Sequence, residues 1–317
     1  MHSYLGKVTH CEGKVLVWIL GGLLLVMAIL AVIFYWEPPQ TTGQKILAGQ
    51  IESIDGPVSS YVLEQQGKPV QVGFLVPVYV GDKIEIKKPN HILELFLGGH
   101  QRVRVTYKDS PYIVKNVGEV PTLQTNIVQA GINLTGEHES KCNPETICDP
   151  VDAGIRGQTH GDDLLMPLLE DNPSQMVAGK RSLYLRWFGG ESPYQVTISE
   201  NGQLLTSKSV NDQWIKTQAL SFEISKTYQI TIQDAKEQNL TETFEGIATI
   251  DFPKELRDSG LSPESRQTVW AMELASQEQG LWMLEAYQQA SEIAEKHYPA
   301  RLVRDRLEKG LRVVKPQ

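Results

Sequence analysis

The sequence predicts a mainly β-sheet protein that is held to a membrane by one N-terminal helix and ends in a helical tail. The first observation is an uncharged apolar run, Val15–Trp36. The second is a short alternation of apolar and polar residues, which begins at Gly49, returns at Arg181 and is typical of β-strands. The third is a switch to a helical period after Pro253. The length of 317 residues suggests about two folded domains.

The run Val15–Trp36 is predicted to cross the membrane as a single helix and to contact the lipid bilayer. At about 1.5 Å per residue it matches a hydrocarbon core of roughly 30 Å, and Trp18, Tyr35 and Trp36 lie where aromatic rings favour the headgroups. A buried core helix would usually be shorter and carry a polar face. A cleaved signal peptide would need small residues where residues 32–36 are bulky. We therefore expect an uncleaved signal anchor.

The charges that flank the anchor predict its orientation. Lys7 and Lys14 precede it, whereas the first basic residue after it is Lys45. The excess of basic residues on the cytoplasmic side of membrane helices places residues 1–14 in the cytoplasm and residues 37–317 outside it. The first part of this outer region, residues 37–48, is predicted to be a linker.

Acidic residues are concentrated in one part of the outer region. The chain carries a net charge of −8, which argues against a nucleic-acid partner. Residues 119–180 hold ten acidic residues against three basic ones and so account for −7 of that charge. Such a composition is typical of an extended, solvated connector.

Two cysteines lie close together within this connector. Cys142 and Cys148 occur in the segment CNPETIC, outside the cytoplasm, where disulfides persist, and the Asn143-Pro144 pair favours a turn. We expect the two thiols to form a disulfide. The alternative is a metal site, but His138 and His160 stand at no recognised ligand spacing, and we expect no bound metal.

The first alternating region, residues 49–118, contains three motifs that together resemble a known family. They are GQIESIDGPV at Gly49–Val58, VPVYVGDKIEI at Val76–Ile86 and ILELFLGGHQRVRV at Ile92–Val105. They resemble the FecR-type periplasmic domain, a β-rich extracytoplasmic domain that is often part of a single-pass protein and whose named members relay an outer signal to a sigma factor. The resemblance implies a periplasmic outer region and an anchor in the inner membrane. Residues 1–14 are too short to fold a sigma-binding domain, so the chain departs from the family there.

Turn residues separate the predicted strands of this region. Gly98-Gly99 lies between two alternating runs and predicts a hairpin. Gly81-Asp82 predicts a turn between strands. Asp82 could alternatively be a catalytic acid, but no second carboxylate or histidine accompanies it in its motif.

The second alternating region, residues 181–250, predicts a β-sandwich. Asn201-Gly202 is a strong signal for a tight hairpin turn. The stretch LYLRWFGGESPYQVTI, Leu183–Ile198, resembles an immunoglobulin or fibronectin type III module. Trp187 is expected to lie in the core rather than to bind a ligand.

The tail, residues 251–317, is predicted to be helical. Ser262-Pro263 is typical of a helix start, and LEAYQQASEIAEKHYP resembles part of a tetratricopeptide repeat. Because fewer than three repeats are present, this tail is expected to pack on the sandwich or on a partner protein. Trp270, Trp282 and Met283 are the candidate contact residues, and the alternative is that they fill a small helical core.

The sequence predicts a protein that binds other proteins rather than an enzyme. It contains no G-x-S-x-G, H-E-x-x-H or Walker A motif, so we expect no catalytic residues and no cofactor, and a small-molecule ligand is not expected. The modular layout favours a membrane-anchored periplasmic regulatory or scaffold protein that binds another envelope or inner-membrane protein. The alternative is an envelope polysaccharide- or peptidoglycan-binding protein, for which Trp214 and Tyr112 are the aromatic residues in loop-like positions.

Overall fold

The computed structural model describes residues 45–115, 118, 163–170, 174–277 and 280–310. These residues form mainly β-sheet, followed by a few C-terminal helices, as predicted. The predicted anchor Val15–Trp36, the cytoplasmic residues 1–14 and the pair Cys142 and Cys148 lie outside the described residues. Within the described residues no helix is long and apolar enough to span a bilayer.

The first β domain contains two four-stranded antiparallel sheets. Their strand orders are β4-β1-β6-β7 and β3-β2-β5-β8. The strands are β1 (Leu47–Ile54), β2 (Tyr61–Gln65), β3 (Lys68–Val70), β4 (Pro77–Tyr79), β5 (Lys83–Ile86), β6 (Ile92–Leu97), β7 (Gln101–Thr106) and β8 (Tyr112–Ile113).

Alternation of side chains along β6 separates two environments. Leu93, Leu95 and Leu97 are fully buried in a core cluster that contains residues of both sheets. Phe96, on the opposite face, is also buried but belongs to a different core cluster. The predicted hairpin follows, because Gly99 takes a positive φ of 66° between β6 and β7, a conformation that glycine adopts without strain.

The second β domain contains a five-stranded sheet and two two-stranded ribbons. The sheet has the order β13-β12-β16-β17-β9, and the ribbons pair β10 with β15 and β11 with β14. The strands are β9 (Ser174–Val177), β10 (Gly179–Arg181), β11 (Tyr184–Arg186), β12 (Tyr194–Glu200), β13 (Gln203–Val210), β14 (Trp214–Lys216), β15 (Leu220–Phe222), β16 (Thr227–Gln233) and β17 (Asn239–Ile247). At the turn between β12 and β13, Asn201 and Gly202 both have positive φ, 47° and 83°, as the sequence predicts.

The end of the predicted acidic connector takes part in this domain. Strand β9 pairs in parallel with β17, and β10 pairs with β15. Leu165 forms an isolated bridge to Phe188, and Met166 is buried in the core. Apolar residues within an otherwise acidic stretch therefore add to the core that the sequence predicts from Arg181 onward.

Within the described residues, four helices follow the second β domain. They are α1 (Lys254–Arg257), α2 (Pro263–Ser276), α3 (Met283–Ile293) and α4 (Tyr298–Leu307). The hydroxyl of Ser262 accepts a hydrogen bond from the Ser265 N–H at 3.1 Å, which satisfies one of the free donors at the start of α2.

The helices pack on both β domains. Their buried side chains, including Val269, Leu274 and Leu284, share one core cluster with residues of the second β domain. The same cluster includes residues of the first β domain, among them Phe74 and Phe96. The tail therefore docks within the chain.

Candidate functional site at the junction of the first β domain and the helices

A buried carboxylate, Glu52, stands at the junction of the first β domain and the helices. The pairing of β1 with β6 is irregular there. Ile51 pairs with Leu95 and Ser53 pairs with the adjacent Glu94, so Glu52 has no partner residue on β6. Glu52 is the extra residue of a β-bulge, a feature that redirects a side chain. Only 1% of Glu52 is exposed.

The Glu52 carboxylate binds donors from two distant parts of the chain. Arg102 on β7 donates from Nε to Oε2 at 2.8 Å and from Nη2 to Oε1 at 3.3 Å. The Ser262 N–H, at the start of α2, donates to Oε1 at 2.6 Å. Arg102 Nη2 also donates to the carbonyl of Gly260 at 2.6 Å. We call these contacts the Glu52–Arg102–Ser262 network; it joins the first β domain to the helices.

Aromatic packing surrounds this network. The Arg102 guanidinium lies 5.3 Å from the centroid of the Phe96 ring, within the range of a cation–π contact. Gly260 has a positive φ of 77°, and a Cβ there would lie 2.9 Å from Phe96 and 2.7 Å from His100. A side chain at position 260 would therefore displace both rings.

A polar cleft of about 280 Å³ lies beside the network. One wall comes from the first β domain and includes Asp55, Glu94 and Arg104. The other wall comes from the helical region and includes Glu264, Lys296 and His297. The cleft thus brings together charged residues that are far apart in the sequence.

Tyr61 supports the wall that contains Asp55. The Tyr61 hydroxyl oxygen lies 2.8 Å from the Asp55 carbonyl and 2.9 Å from the Ile92 carbonyl, and it accepts a hydrogen bond from the Asp55 N–H at 3.1 Å. Burial of this hydroxyl raises the pKa of Tyr61 to about 12. The phenol therefore stays protonated at neutral pH and fixes the turn after β1.

His297 is the buried ionisable residue of the cleft wall. It is 6% exposed, and the edge of its ring faces Phe74 at a centroid distance of 6.0 Å. Burial lowers the pKa of His297 to about 4, although Glu264 and Glu52 act in the opposite direction. At neutral pH the imidazole is uncharged, and within the described residues its Nε2 has no hydrogen-bond partner.

A second buried carboxylate joins α3 to the second β domain. Glu285, 1% exposed, accepts hydrogen bonds from Arg181 Nη1 at 2.8 and 3.1 Å and from the Val177 N–H at 3.0 Å. Three residues further along α3, the Gln288 side chain accepts a hydrogen bond from the Tyr184 N–H at 2.8 Å and donates one to the Tyr184 carbonyl at 2.9 Å. Side chains of α3 therefore satisfy backbone groups of β9 and β11.

The three predicted contact residues of the tail differ in exposure. Trp270 and Met283 are 7% and 2% exposed and lie in the core shared by the helices and the second β domain. Trp282 packs against the same core but is only partly buried. None of the three lines the cleft, and their assignment to a partner protein stays a prediction.

Three other residues from the sequence analysis have defined surroundings. The Asp82 carboxylate accepts hydrogen bonds from the Tyr79 N–H at 2.8 Å and from Gln65 Nε2 at 3.0 Å, so it stabilises the turn between β4 and β5. Trp187 is fully buried, as predicted, whereas Trp214 is 53% exposed.

No local pattern in the sequence points to Glu52, Arg102 or His297. Each would be expected in solvent from its charge or polarity alone. The Ser262 N–H that binds Glu52 is 210 residues away along the chain, and no local pattern encodes a contact of that range. Within the described part of the chain no cluster of His, Cys, Asp and Glu could hold a metal ion.

No protein-family model matches the sequence, and no curated protein is similar to it. The resemblances to the FecR-type domain, the immunoglobulin-like module and the tetratricopeptide repeat therefore rest on the residues quoted for them.

Proposed function

We propose that this chain is a membrane-anchored periplasmic regulatory or scaffold protein of the FecR-like type, which acts by binding another protein of the cell envelope. The observation that supports this proposal is the docking of the helices on both β domains. A scaffold must hold its modules at fixed relative positions, and buried charged networks at Glu52 and Glu285 provide directional contacts at the two junctions.

The proposal includes the identity of the modules. The first β domain would be FecR-like and the second a variant of the immunoglobulin or fibronectin type III sandwich, with residues 15–36 as the inner-membrane anchor. Support for the second module comes from its mostly antiparallel pairing and from Trp187 in its core. The parallel strand β9 is a departure from a purely antiparallel sandwich.

The proposed partner surface is centred on Trp282. Of the three contact residues predicted in the tail, Trp282 alone retains a partly exposed side chain. Trp270 and Met283 would support that surface from the core. Exposed tryptophan at an interface often contributes much of the binding energy.

Photo-crosslinking in intact membranes tests this proposal. A photoreactive residue placed at the exposed position of Glu292 on α3 should give one defined crosslinked species, identifiable by mass spectrometry. Trp282→Ala should abolish that species without changing the thermal transition by more than a few degrees. Trp214→Ala is the matched control, because it removes an exposed tryptophan on the second β domain. Loss of the species in the control alone, or no species at all, would refute the proposed surface.

A fusion reporter tests the proposed topology. Alkaline phosphatase joined after Gln317 should be active, because it folds only outside the cytoplasm. Activity of a cytoplasmic reporter at the same position would show that the orientation is the opposite of the proposed one.

One observation favours binding to an envelope polysaccharide as a second candidate function. Trp214 stands opposite Arg186 in the ribbon of β11 and β14, and Lys216 lies over the Tyr184 ring at 4.8 Å. The exposed indole of Trp214 and the partly buried ring of Tyr184, each beside a cation, could contact an anionic sugar polymer. Cosedimentation with purified peptidoglycan tests this candidate: binding should occur with the parent and with Trp282→Ala, but not with Trp214→Ala.

A further inference from the structure

The cleft beside the Glu52–Arg102–Ser262 network is lined by charged residues of both signs that form no salt bridges with one another. Its side chains include three carboxylates and two cations, those of Asp55, Glu94, Glu264, Arg104 and Lys296. Within the described part of the chain, none of these five side chains forms a salt bridge or a hydrogen bond. Their charges are therefore available to a bound molecule.

Glu94 and Arg104 are the clearest example of unpaired opposite charges in the cleft. The two residues are direct partners in the pairing of β6 with β7, and opposite charges at such positions usually interact favourably. Here they line the cleft without forming an ion pair within 4.0 Å. A ligand with both an ammonium and a carboxylate group would complement both residues.

His297 provides an independent indication of a ligand. The residue lines the cleft and is 94% buried, and its ring carries a nitrogen, Nε2, that has no hydrogen-bond partner among the described residues. A buried polar atom without a partner costs free energy. A polar ligand atom in the cleft would remove that cost.

The charges of the cleft disfavour a ligand that carries charge of only one sign. The described residues contain no cluster suited to a metal ion. A simple anion would meet three carboxylates, and a simple cation would meet an arginine and a lysine. A dipolar molecule avoids both repulsions.

We propose that this cleft binds a small zwitterion of the amino-acid or short-peptide class. Its carboxylate would bind Arg104 and Lys296, its ammonium would bind Glu94 and Glu264, and the neutral ring of His297 would form a hydrogen bond to it. The volume of about 280 Å³ lies just below the range of about 300–1,000 Å³ that is usual for ligand sites, which fits a small molecule. The site does not depend on the partner protein proposed above, and it was not expected from the sequence, because its two walls come from opposite ends of the outer region.

Titration calorimetry with full-length protein in detergent tests the proposal. The probes are alanine and alanylalanine, each compared with its N-acetyl form, which lacks the ammonium, and its amide, which lacks the carboxylate. At least one of the two zwitterions should bind, and each of its blocked forms should bind at least tenfold more weakly. Equal binding of a zwitterion and its blocked forms, or no binding of either zwitterion at millimolar concentration, would overturn the proposal.

Variants locate the binding. Glu94→Gln and Arg104→Gln should each weaken binding of the zwitterion at least tenfold, and His297→Phe should weaken it about tenfold, the effect expected for one hydrogen bond. Lys208→Gln, on the exposed part of β13, is the control and should bind as the parent does. Unchanged binding in both Glu94→Gln and Arg104→Gln would place the ligand elsewhere and refute the site. Circular dichroism of each variant checks that a loss of binding is not a loss of fold.

Discussion

The cost of burying Glu52 is offset by its donors. A carboxylate removed from water loses several kcal/mol of solvation, which is recovered only when geometry and hydrogen bonding are good. Arg102 and the Ser262 N–H provide such bonds at 2.8 and 2.6 Å. Because the Arg102 side chain is 45% exposed, water can partly replace it.

Replacing Arg102 should therefore destabilise the protein by an intermediate amount. We expect Arg102→Met, which keeps a long side chain over Phe96, to reduce the free energy of unfolding by about 2 kcal/mol, below the usual loss for a fully buried pair. Arg104→Met, two residues away without an ion pair among the described residues, should change it by less than about 0.5 kcal/mol. Urea unfolding measures both. Equal losses would show that the network does not stabilise the junction.

His297 should make the folded state sensitive to mild acid. Its pKa is lowered from an ordinary 6.5 to about 4 by burial, against the opposing influence of Glu264 and Glu52. The unfolded chain therefore takes up a proton at a higher pH than the folded chain does. The neutral His297 therefore contributes fully to the free energy of unfolding above pH 6.5. This contribution is lost as the pH falls to about 4, a change on the order of 3 kcal/mol.

His297→Phe should reduce this sensitivity. The phenylalanine ring can keep the packing against Phe74 but cannot take up a proton. Thermal or urea unfolding between pH 7 and pH 4 should show a shallower loss of stability in the variant than in the parent. The same slope in both proteins would mean that His297 is not held neutral by burial.

At the scale of the elements, α3 offers a matched pair of carboxylates. Glu285 and Glu292 both approach Arg181, at 2.8 and 3.7 Å, but their side chains are 1% and 46% exposed. Only Glu285 also binds the Val177 N–H, at 3.0 Å. The two residues therefore share Arg181 as a partner but differ in burial and in the bond to the Val177 N–H.

Their substitution should have unequal effects. Glu285→Ala leaves the Val177 N–H without its acceptor and the Arg181 guanidinium with only the more distant carboxylate of Glu292, and we expect a loss of about 3–5 kcal/mol. Glu292→Ala removes an exposed pair, which contributes about 0–1 kcal/mol. Urea unfolding measures the two losses, and hydrogen exchange in α3 should rise only in Glu285→Ala. Similar losses would contradict the assignment of Glu285 as the anchor of this helix.

Individual elements were predictable where their signals are local. Gly99, Asn201 and Gly202 adopt positive φ at the two hairpins because glycine and asparagine tolerate that conformation. The start of α2 follows from the capping hydroxyl of Ser262. The leucines Leu93, Leu95 and Leu97 alternate along β6 and share a buried face, because burial on one side of a strand repeats every second residue.

Elements and contacts that depend on distant partners were not predictable. Strand β9 has four residues and pairs in parallel with β17. Neither a hairpin turn nor a long alternation therefore predicts it from the sequence. Alternation places Phe96 opposite the leucines of β6, but it does not tell that the helices cover that face. The cleft could not be predicted from the sequence for the same reason, since Glu94 and His297 line one cleft only because the tail docks on the first β domain.

At the scale of the whole molecule, two core clusters meet at the first β domain. One is formed within that domain, and the other joins the second β domain to the helices. Phe74, Leu75 and Phe96 belong to the first β domain but lie in the second cluster. Leu75 has a positive φ of 63°, a conformation that costs a leucine free energy and persists where surrounding packing maintains it.

This shared packing should make the two β domains unfold together. If the first β domain unfolded alone, the second core would lose three side chains that are each at most 2% exposed. At about 1.5–3 kcal/mol for each large apolar side chain, the intermediate would be disfavoured by roughly 4–9 kcal/mol, similar to the total stability of many domains. We expect calorimetry of the full-length protein in detergent to show one transition for the described domains, with calorimetric and van't Hoff enthalpies in agreement. The double variant Phe96→Ala and Arg102→Met removes a shared ring and an arm of the Glu52 network, and it should separate this transition into two. Two transitions in the parent protein would show that the junction is too weak to couple the domains.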